Sequence, residues 1–202
     1  AAALFLSGGY RSLAKSWEGD VRTRSYFGVY TITELSTQKR LAHGTTLHGV
    51  QLEGHPLLLR MPTTYYVPGS GVGRAMLALS DLYGPAARVG VVGLGTGTLA
   101  CYARPGQDWR FYEIDPAVVE LARGPFRFLE QCLPKANIVL GDARLRLAEA
   151  APASLDLLAL DAFSSDAVPM HLMTREAFAT YDRVLAKNGL LLVHISNRFL
   201  SL

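Results

Sequence analysis

Charge is scarce in this chain. Asp, Glu, Lys and Arg make up 18% of its 202 residues, against 50% hydrophobic residues. That balance supplies ample material for a core and excludes global disorder. Long apolar runs are absent too. Stretches such as Ala1 to Leu6 fall far short of the roughly 20 residues that cross a bilayer, so the chain itself is not expected to span one. The two cysteines, Cys101 and Cys132, fit neither a C-x-x-C nor a zinc spacing, which favours a reduced, intracellular compartment. His43, His48, His55 and His171 lack metal-ligand spacing, so no metal is expected. No Gly-x-Ser-x-Gly elbow is present either. The net charge of +3 and pI near 9.0 are too mild and too scattered for a nucleic-acid surface. Arg11, Lys15, Arg22, Arg24, Lys39 and Arg40 outnumber three acids in the first forty residues; they read as the solvated face of a hairpin.

What is present divides the chain in two. Up to about residue 60, β-branched and aromatic residues in Arg24 to Leu35 and Leu41 to Leu52, punctuated by Gly44, Gly49 and Gly54, predict a small antiparallel unit. From Val72 the rhythm alternates. Strands are predicted at Arg88 to Gly93, Trp109 to Ile114, Ile138 to Leu140, Leu155 to Asp161 and Leu190 to Ile195. Helices are predicted at Gly73 to Tyr83, Gly97 to Ala103, Pro116 to Arg123, Arg144 to Ala150 and Arg175 to Ala186. Short apolar strands between amphipathic helices imply a parallel sheet covered on both faces. Thr174 and Asp115 read as N-caps, the latter before Pro116 at the first helical position, and Asn188-Gly189 reads as a helix stop. The expected division is 1–20 as a juxtamembrane segment, 21–70 as the small β unit and 71–202 as an α/β, Rossmann-like nucleoside-binding domain. The last predicted strand leaves a sheet edge uncovered, so the chain is expected to be part of a longer protein.

Three strand ends carry chemistry. Gly93-Leu94-Gly95-Thr96-Gly97 joins a strand to a helix; such a turn brings backbone N–H groups close to a ligand. Glu113 ends the next strand 20 residues after Gly93, where an acid can hold both ribose hydroxyls. Asp142, followed by Ala143, can accept from an adenine amino group or simply cap a helix. Gly-rich turn, Glu and Asp in that order resemble the S-adenosylmethionine-dependent methyltransferase superfamily, and the lack of the third dinucleotide glycine weighs against NAD. Asp161 and Asp166, on the loop after the fourth strand, lie where ligands bind in such sheets. Two acids there can grip an amine, or one can take its proton. His194 reads as a strand-end or core residue, and Tyr83, Tyr102 and Phe178 as packing residues.

The run from the Gly-rich turn through Glu113, Asp142 and the Asp161 to Asp166 loop, followed by Leu172 to Tyr181, resembles the spermidine synthases, the polyamine aminopropyltransferases, and most of all their bacterial membrane-fused relatives. The resemblance implies a methyltransferase-type sheet preceded by a small β unit that lends residues to the cleft: Gln51, and more loosely Tyr65 and Tyr66. It also implies Asp161 as the acceptor of the amine proton, Asp166 as its orienting partner, Glu113 on the ribose, Asp142 with Ala143 on the adenine, and Gly93, Gly95, Thr96 and Gly97 along the sulfur-bearing chain. The substrate would be S-adenosylmethionine or its decarboxylated form, with 5'-methylthioadenosine as product. The other partners would be an acceptor such as putrescine, membrane helices outside this chain on the cytoplasmic side, and a homodimeric second copy.

Two departures stand out. Family members read Gly-Gly-Gly-Asp-Gly-Gly, whose Asp meets the donor ammonium; here Leu94 replaces a Gly and Thr96 the Asp. An acid at that place repels a carboxylate and Thr does not, which admits intact S-adenosylmethionine as ligand. The acidic loop is also two residues longer than the family's Asp-Ser-Ser-Asp. Three rival functions follow: a lyase forming methylthioadenosine and homoserine lactone, a methyltransferase, and a non-catalytic nucleoside sensor.

Overall fold

The computed structural model describes residues 20–44, 46–162 and 168–195. Among these, β1 (Val21–Arg24), β2 (Val29–Leu35), β3 (Gln38–His43) and β4 (Thr46–Leu52) form an antiparallel sheet in the order β1-β2-β3-β4. The alternation that predicts these strands places Tyr30, Ile32 and Leu41 inward. They join the core of the second unit rather than forming one of their own. Two 3-10 turns, Leu58–Arg60 and Thr64–Tyr66, lead to helices α1 (Gly71–Leu77) and α2 (Leu79–Tyr83). These divide at Ala78 what the sequence presents as one helix.

The second unit is a parallel sheet of β5 (Arg88–Val92), β6 (Asp108–Glu113), β7 (Asn137–Leu140), β8 (Leu155–Leu160) and β9 (Leu185–Val193), in the order β7-β6-β5-β8-β9. Helices α3 (Pro116–Arg123), α4 (Phe128–Cys132), α5 (Ala143–Glu149) and α6 (Arg175–Val184) connect the strands. Neighbouring residues of β8 serve opposite faces. Leu157 and Ala159 pack with the N-terminal sheet and α3, while Leu158 and Leu160 pack with α5 and α6. Each fully buried leucine there contributes about 2 kcal/mol of transfer free energy. The chain runs outward from β5 through β6 to β7, then returns to place β8 on the other side of β5. The carboxyl ends of β5 and β8 thus flank the switch point at which open α/β sheets bind ligands.

Helix punctuation follows the sequence at Asp115, Asp142 and Thr174, whose side chains accept from backbone N–H groups of the first turn. Two elements differ from expectation. Thr98–Tyr102 is a 3-10 turn rather than an α-helix. Helix α6 ends at Val184, and Asn188-Gly189 lies within an excursion of β9, where the pairing steps from Leu155↔Leu185 to Leu157↔Leu190. The expectation of reduced cysteines is corrected: Cys101 and Cys132 form a disulfide with Cα atoms 4.8 Å apart, pinning the 3-10 turn to α4. The intervening helix folds this stretch back on itself, which spacing alone does not reveal. Closing a 31-residue separation restricts the unfolded chain by about 3 to 4 kcal/mol. Among the described residues no helix is long and apolar enough to cross a membrane.

Candidate functional site

A cavity of about 280 Å³ opens between the two sheets at the carboxyl ends of β5, β6 and β8. One wall is the parallel sheet, with Gly93, Leu94 and Gly95 after β5, Glu113 ending β6 and Asp161 after β8. The N-terminal unit forms the other wall with Phe27, Tyr30, His43, His48, Tyr65 and Tyr66. The walls are tied together at several points. Asp115 caps α3 with Oδ1 and with Oδ2 accepts from Tyr30, at 2.8 Å, and from Ser25. Farther from the cavity, Lys39 Nζ donates to the Pro125 carbonyl at 3.4 Å.

Across the cavity the acid Asp161 is held from two directions. Tyr66 Oη donates to Oδ2 at 2.6 Å, and His194 Nδ1 lies 2.6 Å from Oδ1. A carboxylate only accepts, so the imidazole carries its proton on Nδ1. Burial, reinforced by the charge of Asp161, raises the hydroxyl pKa of Tyr66 well above the ordinary range and keeps it a donor. Burial likewise raises Tyr65, whose Oη donates to the Leu47 carbonyl at 3.2 Å and whose ring lies 4.8 Å from that of His194. Glu113 is 7% exposed. Desolvation pushes its carboxyl above the ordinary range, while the N–H groups of Asp115, Leu94 and Ile114 draw it back. Its two oxygens accept from Leu94 N and Asp115 N, each at 2.9 Å. Apolar surface beside a few convergent polar groups suits a small organic ligand.

No protein-family model matches the chain. A polyamine aminopropyltransferase of Vibrio vulnificus (strain CMCP6) is 31% identical over 112 residues, which are 53% of this chain and 37% of that protein. A probable spermidine synthase from Corynebacterium glutamicum ATCC 13032 superposes with a TM-score of 0.70 at 20% identity, covering 86% of this chain and 62% of that one. A spermidine synthase solved with the transition state analogue AdoDATO gives a TM-score of 0.57 at 16% identity, over 86% of this chain and 56% of that one. The chain is thus similar to spermidine synthases in fold and, over those 112 residues, to a polyamine aminopropyltransferase in sequence. It spans little more than a third of the curated relative that it matches.

In the cleft the structure brings together Gly93, Gly95, Glu113, Ala143, Asp161, Tyr65 and Tyr66. Asp142 stands at the cavity's edge: Oδ1 caps α5 and Oδ2 lies 3.2 Å from His171 Nε2. Asp166 lies outside the described residues.

Three expected cofactor contacts are displaced. Gln51 is fully buried away from the cavity, with Nε2 donating to the Leu59 carbonyl and Oε1 accepting from Arg127 N, both at 2.9 Å. It lies farther along β4 than cavity-lining His48, beyond the register shift at Leu41/Ala42, and there meets the Leu59 and Arg127 backbone instead of the cavity. Thr96 is 1% exposed, shares a 2.8 Å hydrogen bond with Thr98 and packs beneath Gly49, where an added Cβ would come within 2.5 Å of Thr96 Oγ1. The residue thought to face the donor's carboxylate instead joins the two units, which removes the motive for a lyase. Gly97 sits against Leu129, 2.9 Å from an added Cβ, and serves packing rather than the cavity. His194, expected as a strand-end or core residue and not as part of the site, stands at the end of β9 beside Asp161. The available signal was its place one residue past the last strand, next to the end of β8, where its N–H donates to the Leu160 carbonyl at 2.9 Å.

Proposed function

We propose that the chain carries the active site of an aminopropyl transfer in which decarboxylated S-adenosylmethionine is the donor, an amine such as putrescine is the acceptor, and 5'-methylthioadenosine is released. The observation that supports this most is the buried Asp161 at the carboxyl end of β8, gripped by Tyr66 from the facing wall with Glu113 on the same cavity. In this reading Glu113 accepts from the ribose hydroxyls, the turn from Gly93 to Gly95 lies along the sulfur-bearing chain, and Ala143 borders the adenine. The sulfonium supplies the electrophile. The acceptor nitrogen attacks the methylene carbon next to sulfur, the C–S bond breaks with its electron pair going to sulfur, and the amine's proton passes to Asp161. The protein aligns nucleophile and carbon, limits water and receives that proton. Asp166 is assigned to orienting the acceptor.

The test is methylthioadenosine release from the decarboxylated donor against putrescine concentration, in wild type and Asp161→Asn. Release should saturate with putrescine, and the variant should lose roughly 10² to 10⁴ in turnover while binding methylthioadenosine nearly as well. Wild-type release that is flat in putrescine, or S-adenosylhomocysteine formed from the intact cofactor, would overturn the assignment.

A further inference from the structure

The carboxylate assigned to take the proton is not left to find its own orientation. Asp161 has just left β8, and its side chain, 7% exposed, is contacted from two elements far apart in sequence. The Tyr66 hydroxyl comes from the N-terminal wall at 2.6 Å, and the His194 imidazole comes from the end of β9 at 2.6 Å. One donor on each oxygen fixes the rotation of the carboxylate plane. That plane decides which lone pairs face the cavity.

His194 is itself held. Its backbone N–H donates to the Leu160 carbonyl at 2.9 Å. The ring lies against those of Tyr65 and Tyr66, with centroids 4.8 and 6.1 Å away. Its side chain is 16% exposed. Placing an imidazole in such a spot needs the β8–β9 pairing, the aromatic wall and the acid together. A histidine that only filled core space would need no carboxylate against its Nδ1.

We propose that His194 is a positioning residue for the transfer: by donating from Nδ1 to Asp161 Oδ1, opposite Tyr66, it holds the carboxylate in the orientation that receives the acceptor's proton. The proposal rests on the transfer reading above and adds a residue that acts through Asp161. The side-chain amide nitrogen of asparagine can take the place of Nδ1, whereas leucine fills the volume and donates nothing. A positioning role therefore predicts rescue by Asn, and a role in packing alone predicts none.

The experiment measures methylthioadenosine release from decarboxylated S-adenosylmethionine with putrescine in wild type, His194→Leu and His194→Asn. The same proteins and Asp161→Ala are examined without substrate by proton–nitrogen NMR of histidine side chains. His194→Leu should lower kcat by about 10²-fold, the scale of a misplaced catalytic group, with an unchanged KM for the donor. His194→Asn should return to within about fivefold of wild type. One histidine should show a protonated, hydrogen-bonded Nδ1 whose signal disappears in both His194 variants and in Asp161→Ala. An active wild type in which Asn is no better than Leu, or in which both variants chiefly raise KM, overturns the positioning role alone. Absence of that Nδ1–H signal overturns it whatever the activity. A wild type that shows the signal but forms no methylthioadenosine with putrescine overturns the transfer reading, and the catalytic role of His194 with it.

Discussion

The two walls of the cleft obey different rules. On the parallel-sheet wall, every residue of interest sits at or just beyond a strand's carboxyl end, and the topology brings those ends together whatever the side chains are. Gly93, Glu113 and Asp161 therefore meet at one cavity. On the N-terminal wall, what a residue meets depends on strand register and where it breaks, as at the shift between Leu41 and Ala42 in the β3–β4 pairing. His48 lines the cavity at that shift, while Gln51, farther along β4, meets the Leu59 and Arg127 backbone. The wall that looks more decorated with polar residues is thus the one whose contacts are harder to place.

The sharpest break between the walls lies at Gly93. Its φ is +98°, and an added Cβ would stand 2.5 Å from the Asp161 carbonyl oxygen. Gly93→Ala combines backbone strain with a clash that displaces the end of β8. A loss of about 4 kcal/mol is expected in denaturant titration, together with the loss of methylthioadenosine binding. Gly95 has φ +53° and nothing nearer than the His48 carbonyl, 3.5 Å from an added Cβ, so Gly95→Ala should lose only about 1 to 2 kcal/mol. Equal losses would mean that close approach of β5 and β8 does not set the turn's need for glycine.

The next test asks how the two walls titrate. Burial raises the hydroxyls of Tyr30, Tyr65 and Tyr66 on the N-terminal side and of Tyr102, Tyr112 and Tyr181 in the other unit. A group whose folded pKa is raised contributes stability that is complete below its unfolded value, here 10.0, and is lost as pH rises through the folded value. Stability should therefore hold up to about pH 10 and then fall by about 1.4 kcal/mol per pH unit for each such tyrosine. Tyr65→Phe should flatten that fall by about 1.4 kcal/mol per pH unit. Desolvation of Glu113 works in the same direction at the acid end: its contribution is complete below the ordinary carboxylate value and lost as pH rises through its raised one.

Much of this molecule is legible before folding because its strands and helices alternate with clear punctuation. Asp115, Asp142 and Thr174 cap the helices they precede, and β8 is buried on both faces over its apolar run from Leu157 to Leu160. What sequence alone conceals are contacts between distant segments. The disulfide joins residues 31 apart. The Asp115 pairing with Tyr30 spans 85 positions, and His194 reaches Asp161 across 33. No local pattern encodes such pairs, and the β9 excursion at Asn188-Gly189 mimics a helix stop because the same dipeptide suits both.

Gln51 offers a smaller test of the N-terminal wall. Its amide joins the Leu59 carbonyl to the start of α4, so Gln51→Leu should leave two buried backbone groups without partners and lose about 2 kcal/mol. Methylthioadenosine affinity should stay within about twofold, since the side chain does not line the cavity. A large fall in affinity with little change in stability would return Gln51 to the ligand.

The smallest effect is expected at Thr96, where the family's acid is missing. Its hydroxyl shares a proton with Thr98 and faces Gly49 rather than the cavity. Thr96→Val keeps the shape and removes one buried hydrogen bond, so a loss of about 1 kcal/mol is expected in chemical unfolding. The preference between intact and decarboxylated S-adenosylmethionine should not move, because Thr96 is 1% exposed and its hydroxyl presents no charge to either ligand. Calorimetric titration with both cofactors checks this directly. Donor choice would then rest with groups that do line the cavity, Glu113 and Asp161 among them. A reversed preference in Thr96→Val, at unchanged stability, would mean that the turn reaches the ligand through Thr96 after all.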